Sequence, residues 1–111
     1  MTTQELLLRA RQARGAMALA DTETKNRALL AMADALVDNT QSILTANGLD
    51  LIEAKGSMST VMLDRLALSE ERVLSMAQGI RDVASLPDPV GQVLRREERP
   101  NGLVIEKTAV P

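Results

Sequence analysis

Residues 98–111, ERPNGLVIEKTAVP, decide the fold. Pro100, Asn101 and Gly102 carry the residue types of a tight turn, and the apolar residues after them read as the second strand of a β-hairpin. Two registers fit this stretch. If Asn101 and Gly102 alone form a type I′ turn, Glu97 faces Glu106 and Arg96 faces Lys107, two like-charge pairs. If Pro100 and Asn101 form the centre of a type I turn with Gly102 in the left-handed bulge position, Pro100 keeps its preferred φ and Arg96 faces Glu106. Only the Arg95 and Lys107 pair is then repulsive, so the second register is the expected one.

Strands of about eight residues, ~26 Å at full extension, are expected on either side of this turn. Leu103, Ile105 and Ala109 fall on one face, with Val104 and Val110 on the other. A two-stranded hairpin with open edges and apolar groups on both faces is marginal in water. It calls for a third strand. No upstream segment reads as one, so the expected partner lies in another chain or in sequence beyond these residues.

Upstream, the pattern is helical. From Gln4 to Ala20, Leu6, Ala10, Ala13, Met17 and Ala20 recur at spacings of four and three and form one stripe. Gly15 interrupts this helix and reads as a close packing contact or a tolerated defect. Thr22 is the expected N-cap of a second helix with Glu23 in its first turn, burying Leu29, Met32, Ala33, Leu36 and Val37. A third stretch opens near Thr40 and is expected to break at Asn47 and Gly48, where Asn47 caps a new turn that ends at Gly56. KGSMST, residues 55–60, reads as a loop. A short helix over Thr60–Leu66 follows, and Ser69 caps a longer one carrying Val73, Met76, Ala77, Ile80 and Ala84 on one face. LPDPVG, residues 86–91, ends the helical part because its two prolines force an extended exit. The fold class is therefore mainly α with a C-terminal β-hairpin.

Composition narrows the function. The 111 residues are 45% hydrophobic and 25% charged with a formal net charge of -2, as in a folded soluble segment rather than a disordered tail. Lys and Arg are dispersed, so no basic face is offered to nucleic acid or anionic lipid. There is no Phe, Tyr or Trp, and Met17, Met32 and Met76 on the apolar stripes are expected to serve as core filler instead. His and Cys are absent as well, which removes the usual near-neutral base, soft metal ligands and thiolate nucleophile from this stretch. No apolar run approaches a signal-peptide core or membrane span, and the cytoplasm is the expected compartment.

The remaining polar residues form no complete site. Glu70 with Glu71, and Glu97 with Glu98, are sequence neighbours that suit a helix start and a strand face rather than a pair held across a cleft. Lys25, Lys55 and Lys107 lie in polar surroundings without the desolvation that activates an amine. Glycines never combine into a phosphate-binding loop. Arg95, Arg96 and Arg99 are interleaved by Glu97 and Glu98. No catalytic, cofactor-binding or metal-ligating residue is assigned to any position, and a 111-residue polypeptide of this sequence is expected to be inactive alone.

LDRLALSEERVLSMAQGIRDVASLPDPVGQVL, residues 63–94, followed by RPNGLVIEKTAVP, residues 99–111, closely resembles the N-terminal region of the γ-glutamyl phosphate reductase (glutamate-5-semialdehyde dehydrogenase) family. KNRALLAMADAL and ILTANGLDL are similar to its preceding helices. The resemblance implies membership of the aldehyde dehydrogenase superfamily and an N-terminal helical segment of an α/β fold. Residues 1–90 would belong to the cofactor-binding domain, and residues 91–111 would form the hairpin of the oligomerisation arm leading back to it. It further implies NADPH-dependent reduction of L-glutamate 5-phosphate to the 5-semialdehyde in proline biosynthesis, through a cysteine thiolate, in a homo-oligomer associating through residues 91–111. Cofactor and thiolate would both lie beyond Pro111. A different class also fits the exposed arm: a self-standing helical module that uses its hairpin for partner or self association.

Overall fold

A computed structural model describes residues 1–111. Five helices precede the hairpin: α1 (Thr3–Leu19), α2 (Thr22–Asp38), α3 (Thr40–Ala54), α4 (Thr60–Leu66), α5 (Glu70–Ser85), β1 (Val93–Glu98) and β2 (Val104–Thr108). No helix is long and apolar enough to cross a membrane. The chain divides into two compact units, Glu23–Leu86 and a second made of Met1–Thr22 with Pro87–Pro111.

The first of these units carries the small core. Val73, Ala77 and Ala84 of α5 are buried together with Ala33 of α2. Three of these four are alanines, so the helices gain burial through close approach rather than large side chains. Asp34 and Arg81 link α2 to α5 at 3.1 Å. The junction of α2 and α3 is a single residue, Asn39, outside both helices. Its Nδ2 donates to the Ala35 carbonyl, and the buried Thr40 hydroxyl donates to Val37 O at 2.7 Å and Leu36 O at 3.2 Å. Ala35 O also accepts the Asn39 N–H at 3.0 Å, while the Leu36 and Val37 carbonyls at the end of α2 are satisfied by the Thr40 side chain.

Ser59 and Ser69 cap α4 and α5, accepting from the Met62 and Arg72 amides. Helix α3 departs from expectation: it runs unbroken through Asn47 and Gly48. Asn47 is buried and its amide bonds the carbonyl of Leu66, the last residue of α4, and the N–H of Leu68 just beyond it, so a tertiary contact overrides its local turn preference.

In the second unit α1 starts with a capping box. The Thr2 hydroxyl accepts from the Glu5 amide at 3.2 Å, while the Thr2 amide donates to Glu5 Oε2 at 2.7 Å. No residue of α1 is buried. The expected stripe exists as a helix face but is uncovered, with Leu6 54% and Met17 61% exposed. Met32 and Met76 are also exposed, at 54% and 46%, which corrects their reading as core filler. Space around Gly15 is open, with no atom within 4 Å of an added Cβ, so no close packing contact explains it within this chain. Thr22 is the first helical residue of α2 rather than its cap, and its hydroxyl donates to Asp88 at 2.7 Å.

The hairpin adopts the second register. Arg95 lies opposite Lys107 and Arg96 opposite Glu106. Gly102 N–H donates to Arg99 O at 2.9 Å, closing a turn centred on Pro100 and Asn101, and Gly102 has φ 86°. The strands are six and five residues, shorter than expected. On the β1 side the register shifts between Val93 and Arg95, making Leu94 an extra residue, a β-bulge.

Candidate functional site

The hairpin is the element whose chemistry is least satisfied. Arg99 N–H donates to Leu103 O at 2.7 Å, Ala109 N–H to Gln92 O at 2.9 Å and Gly91 N–H to Ala109 O at 2.8 Å. Odd-numbered positions of β2 therefore turn their backbone groups toward β1. By antiparallel alternation, Val104, Glu106 and Thr108 turn theirs outward, along an edge that no other strand covers.

Side chains on the two faces differ in charge balance. Arg96 and Glu106 are a non-hydrogen-bonded pair, the closer kind, and Nε and Oε1 approach to 3.8 Å. On the other face Arg95 and Lys107 are directly opposed cations, with Glu97 next along β1. Glu97 instead reaches Arg99 at 3.6 Å. All of β1 and β2 is exposed, including Val93 at 49%, Val104 at 41% and Ile105 at 45%. An apolar and backbone-polar edge of this kind suits strand addition.

The other candidates stay apart. Glu70 and Glu71 sit exposed in the first turn of α5. Lys55 caps the end of α3, Lys25 lies in α2 and Lys107 is on the hairpin, so no two of the three share an element. No three His, Cys, Asp or Glu side chains converge on a point where a metal ion could sit. Gly56, Gly91 and Gly102 have positive φ but lie in separate turns, and none opens a helix after a strand in the way a phosphate cradle requires. Two surface depressions lie along single helices, one on α1 lined by Met1, Glu5, Leu8, Arg9 and Gln12 and one on α2 lined by residues from Glu23 to Asp34. Sequence reasoning missed the Asn47 clasp and the Leu94 bulge. A buried asparagine in mid-helix gives no local sign of its distant partner, and a bulge changes no residue type.

No family model matches the chain. Sequence relatives are nonetheless clear. The chain is 51% identical over 107 residues to the γ-glutamyl phosphate reductase of Carboxydothermus hydrogenoformans, a match covering 96% of this chain and 26% of that protein. It is 57% identical over 91 residues to the same-named protein of Streptococcus pneumoniae, covering 82% of this chain and 22% of that one. Among solved structures, the Thermotoga maritima γ-glutamyl phosphate reductase superposes with a TM-score of 0.87 at 34% identity, over 91% of this chain and 25% of its own. The Saccharomyces cerevisiae enzyme gives 0.89 at 34% identity, over 100% of this chain and 29% of its own. The chain thus spans about a quarter of the length of the relatives it matches. A self-standing interaction module is not favoured, because these relatives carry the segment inside a much longer protein.

Proposed function

We propose that the chain is the N-terminal segment of a γ-glutamyl phosphate reductase, and that its function is that of the whole enzyme: NADPH-dependent reduction of L-glutamate 5-phosphate to the 5-semialdehyde in proline biosynthesis, in the cytoplasm. The observation that carries this reading is 51% identity across 96% of the chain. The match spans 107 of the 111 residues, which supports one fold and one role for the whole segment.

Within that enzyme residues 1–90 belong to the cofactor-binding domain and residues 91–111 to an oligomerisation arm. The residues present do not fit a dinucleotide: there is no glycine-rich turn at a helix start and no aromatic platform. The cofactor and the attacking thiolate are therefore assigned to the enzyme outside this segment. Homo-oligomerisation through the outward edge of β2 is part of the same reading, supported by the open backbone groups at Val104, Glu106 and Thr108.

The test is a chimera in which residues 1–111 replace the matching segment of the Carboxydothermus reductase. Phosphate-dependent oxidation of glutamate 5-semialdehyde by NADP, the reverse reaction, is expected at a rate comparable to the parent. A folded chimera without that activity refutes the reading.

A further inference from the structure

We propose that α1 is a docking helix whose apolar stripe is covered by the part of the reductase chain outside this segment, a proposal that rests on the function inferred above. The helix has 17 residues and buries none of them. Leu6, Leu7, Leu8, Met17 and Leu19 are between 50% and 88% exposed. A lone helix of this length is marginal in water, and the Thr2 and Glu5 capping box secures only its first turn.

The stripe has the shape of a packing surface. Leu6, Ala10, Ala13 and Met17 follow one another at spacings of four, three and four, so two small residues lie between two long ones. Small residues at the centre let a neighbouring backbone come close, and Leu6 and Met17 project at either end. Arg9 and Arg14 border the stripe on its two sides, where a guanidinium keeps its head in water while its stem covers apolar surface.

Chain length identifies the occupant. The two solved reductases match this backbone over 91% and 100% of its residues, yet it makes up only 25% and 29% of theirs. The same fold there is accompanied by about two and a half to three times as much additional chain, enough to supply a cover within the subunit. A second copy of residues 1–111 is the competing occupant.

The experiment compares Leu6→Ala/Met17→Ala in the 111-residue chain and in the Carboxydothermus chimera. In the chain alone the pair leaves helix content unchanged or raised, because Ala is the better helix former and nothing is uncovered. In the chimera the melting midpoint falls by about 4 °C or more, whereas Gln12→Ala, off the stripe, leaves it in place. An equal effect of the two variants in the chimera overturns the proposal. So does a concentration-dependent dimer of the chain that Leu6→Ala/Met17→Ala dissociates, since the occupant is then a second copy.

Hydrogen exchange of the unsubstituted proteins covers the case in which the variant fails to fold. Amides of α1 are expected to exchange about 100-fold more slowly in the chimera than in the chain, and equal exchange overturns the proposal. An inactive chimera with a protected α1 counts against the proposed function and leaves the docking surface standing.

Discussion

Asn47 holds Leu68 in place from within α3: its Oδ1 accepts from the Leu68 N–H at 2.8 Å while its Nδ2 donates to Leu66 O at 2.9 Å. Leu66 is the last residue of α4, whose carbonyl has no partner within the helix, and Leu68 lies in the connection to α5. Asn47→Ala is expected to destabilise the chain by ~1–3 kcal/mol, because two part-buried polar groups lose their bonds. Asn47→Asp keeps the acceptor and loses the donor, and should not restore full stability. Urea unfolding monitored by circular dichroism checks both. A midpoint for Asn47→Ala equal to that of the parent would show that the clasp contributes nothing.

Arg72 grips the same connection from the other side. Its Nη1 donates to the Asp64 and Ala67 carbonyls, and its Nη2 lies 3.3 Å from Asp64 Oδ1. Because Asn47 and Arg72 secure neighbouring residues of one loop, their effects should not add. The double variant Asn47→Ala/Arg72→Met is expected to differ from the sum of the single changes by ~0.5 kcal/mol or more, read from a denaturation cycle. Strict additivity would mean that the two side chains stabilise the loop independently.

Glycines at two positions should respond with opposite signs. Gly102 has φ 86°, where an L side chain crowds the backbone, so Gly102→Ala is expected to weaken the hairpin by ~1–2 kcal/mol. Gly15 is helical with open space around it, so Gly15→Ala should strengthen α1 by ~1 kcal/mol. Cross-strand NOEs between Arg96 and Glu106 report the first, and the helical circular dichroism signal reports the second.

Charge reversal at Lys107 tests the register. Lys107→Glu places a carboxylate opposite Arg95 and should stabilise the hairpin by ~0.2–1 kcal/mol at low salt, with the gain fading as ionic strength rises. Glu106→Lys creates a repulsive pair with Arg96 and should do the reverse. If the two changes act with the same sign, the strands are paired in another register.

Local chemistry made most of the elements legible. Ser59 and Ser69 announce the starts of α4 and α5, and the two prolines in residues 86–91 announce the end of α5. The hairpin register followed from one proline and a count of like charges. What escaped was decided at a distance. Asn47 looks like a helix break until Leu66 and Leu68 are placed beside it, and Met17, Met32 and Met76 look like core although each is about half exposed. Periodicity reveals which face of a helix seeks cover, but it does not reveal where the cover comes from. The hairpin's open edge was readable for the opposite reason, since its missing neighbours are backbone groups that every strand exposes alike.

Leu94 gives the hairpin a direction. A sheet that takes up β2 along its outward edge acquires β1 as its new rim, and that rim is already blunted by an extra residue which breaks the regular spacing of donors and acceptors. Growth by strand addition then stops after one hairpin. A hairpin bulged on its outer strand can be added to a sheet without offering the next molecule the regular template it would need to begin a fibre.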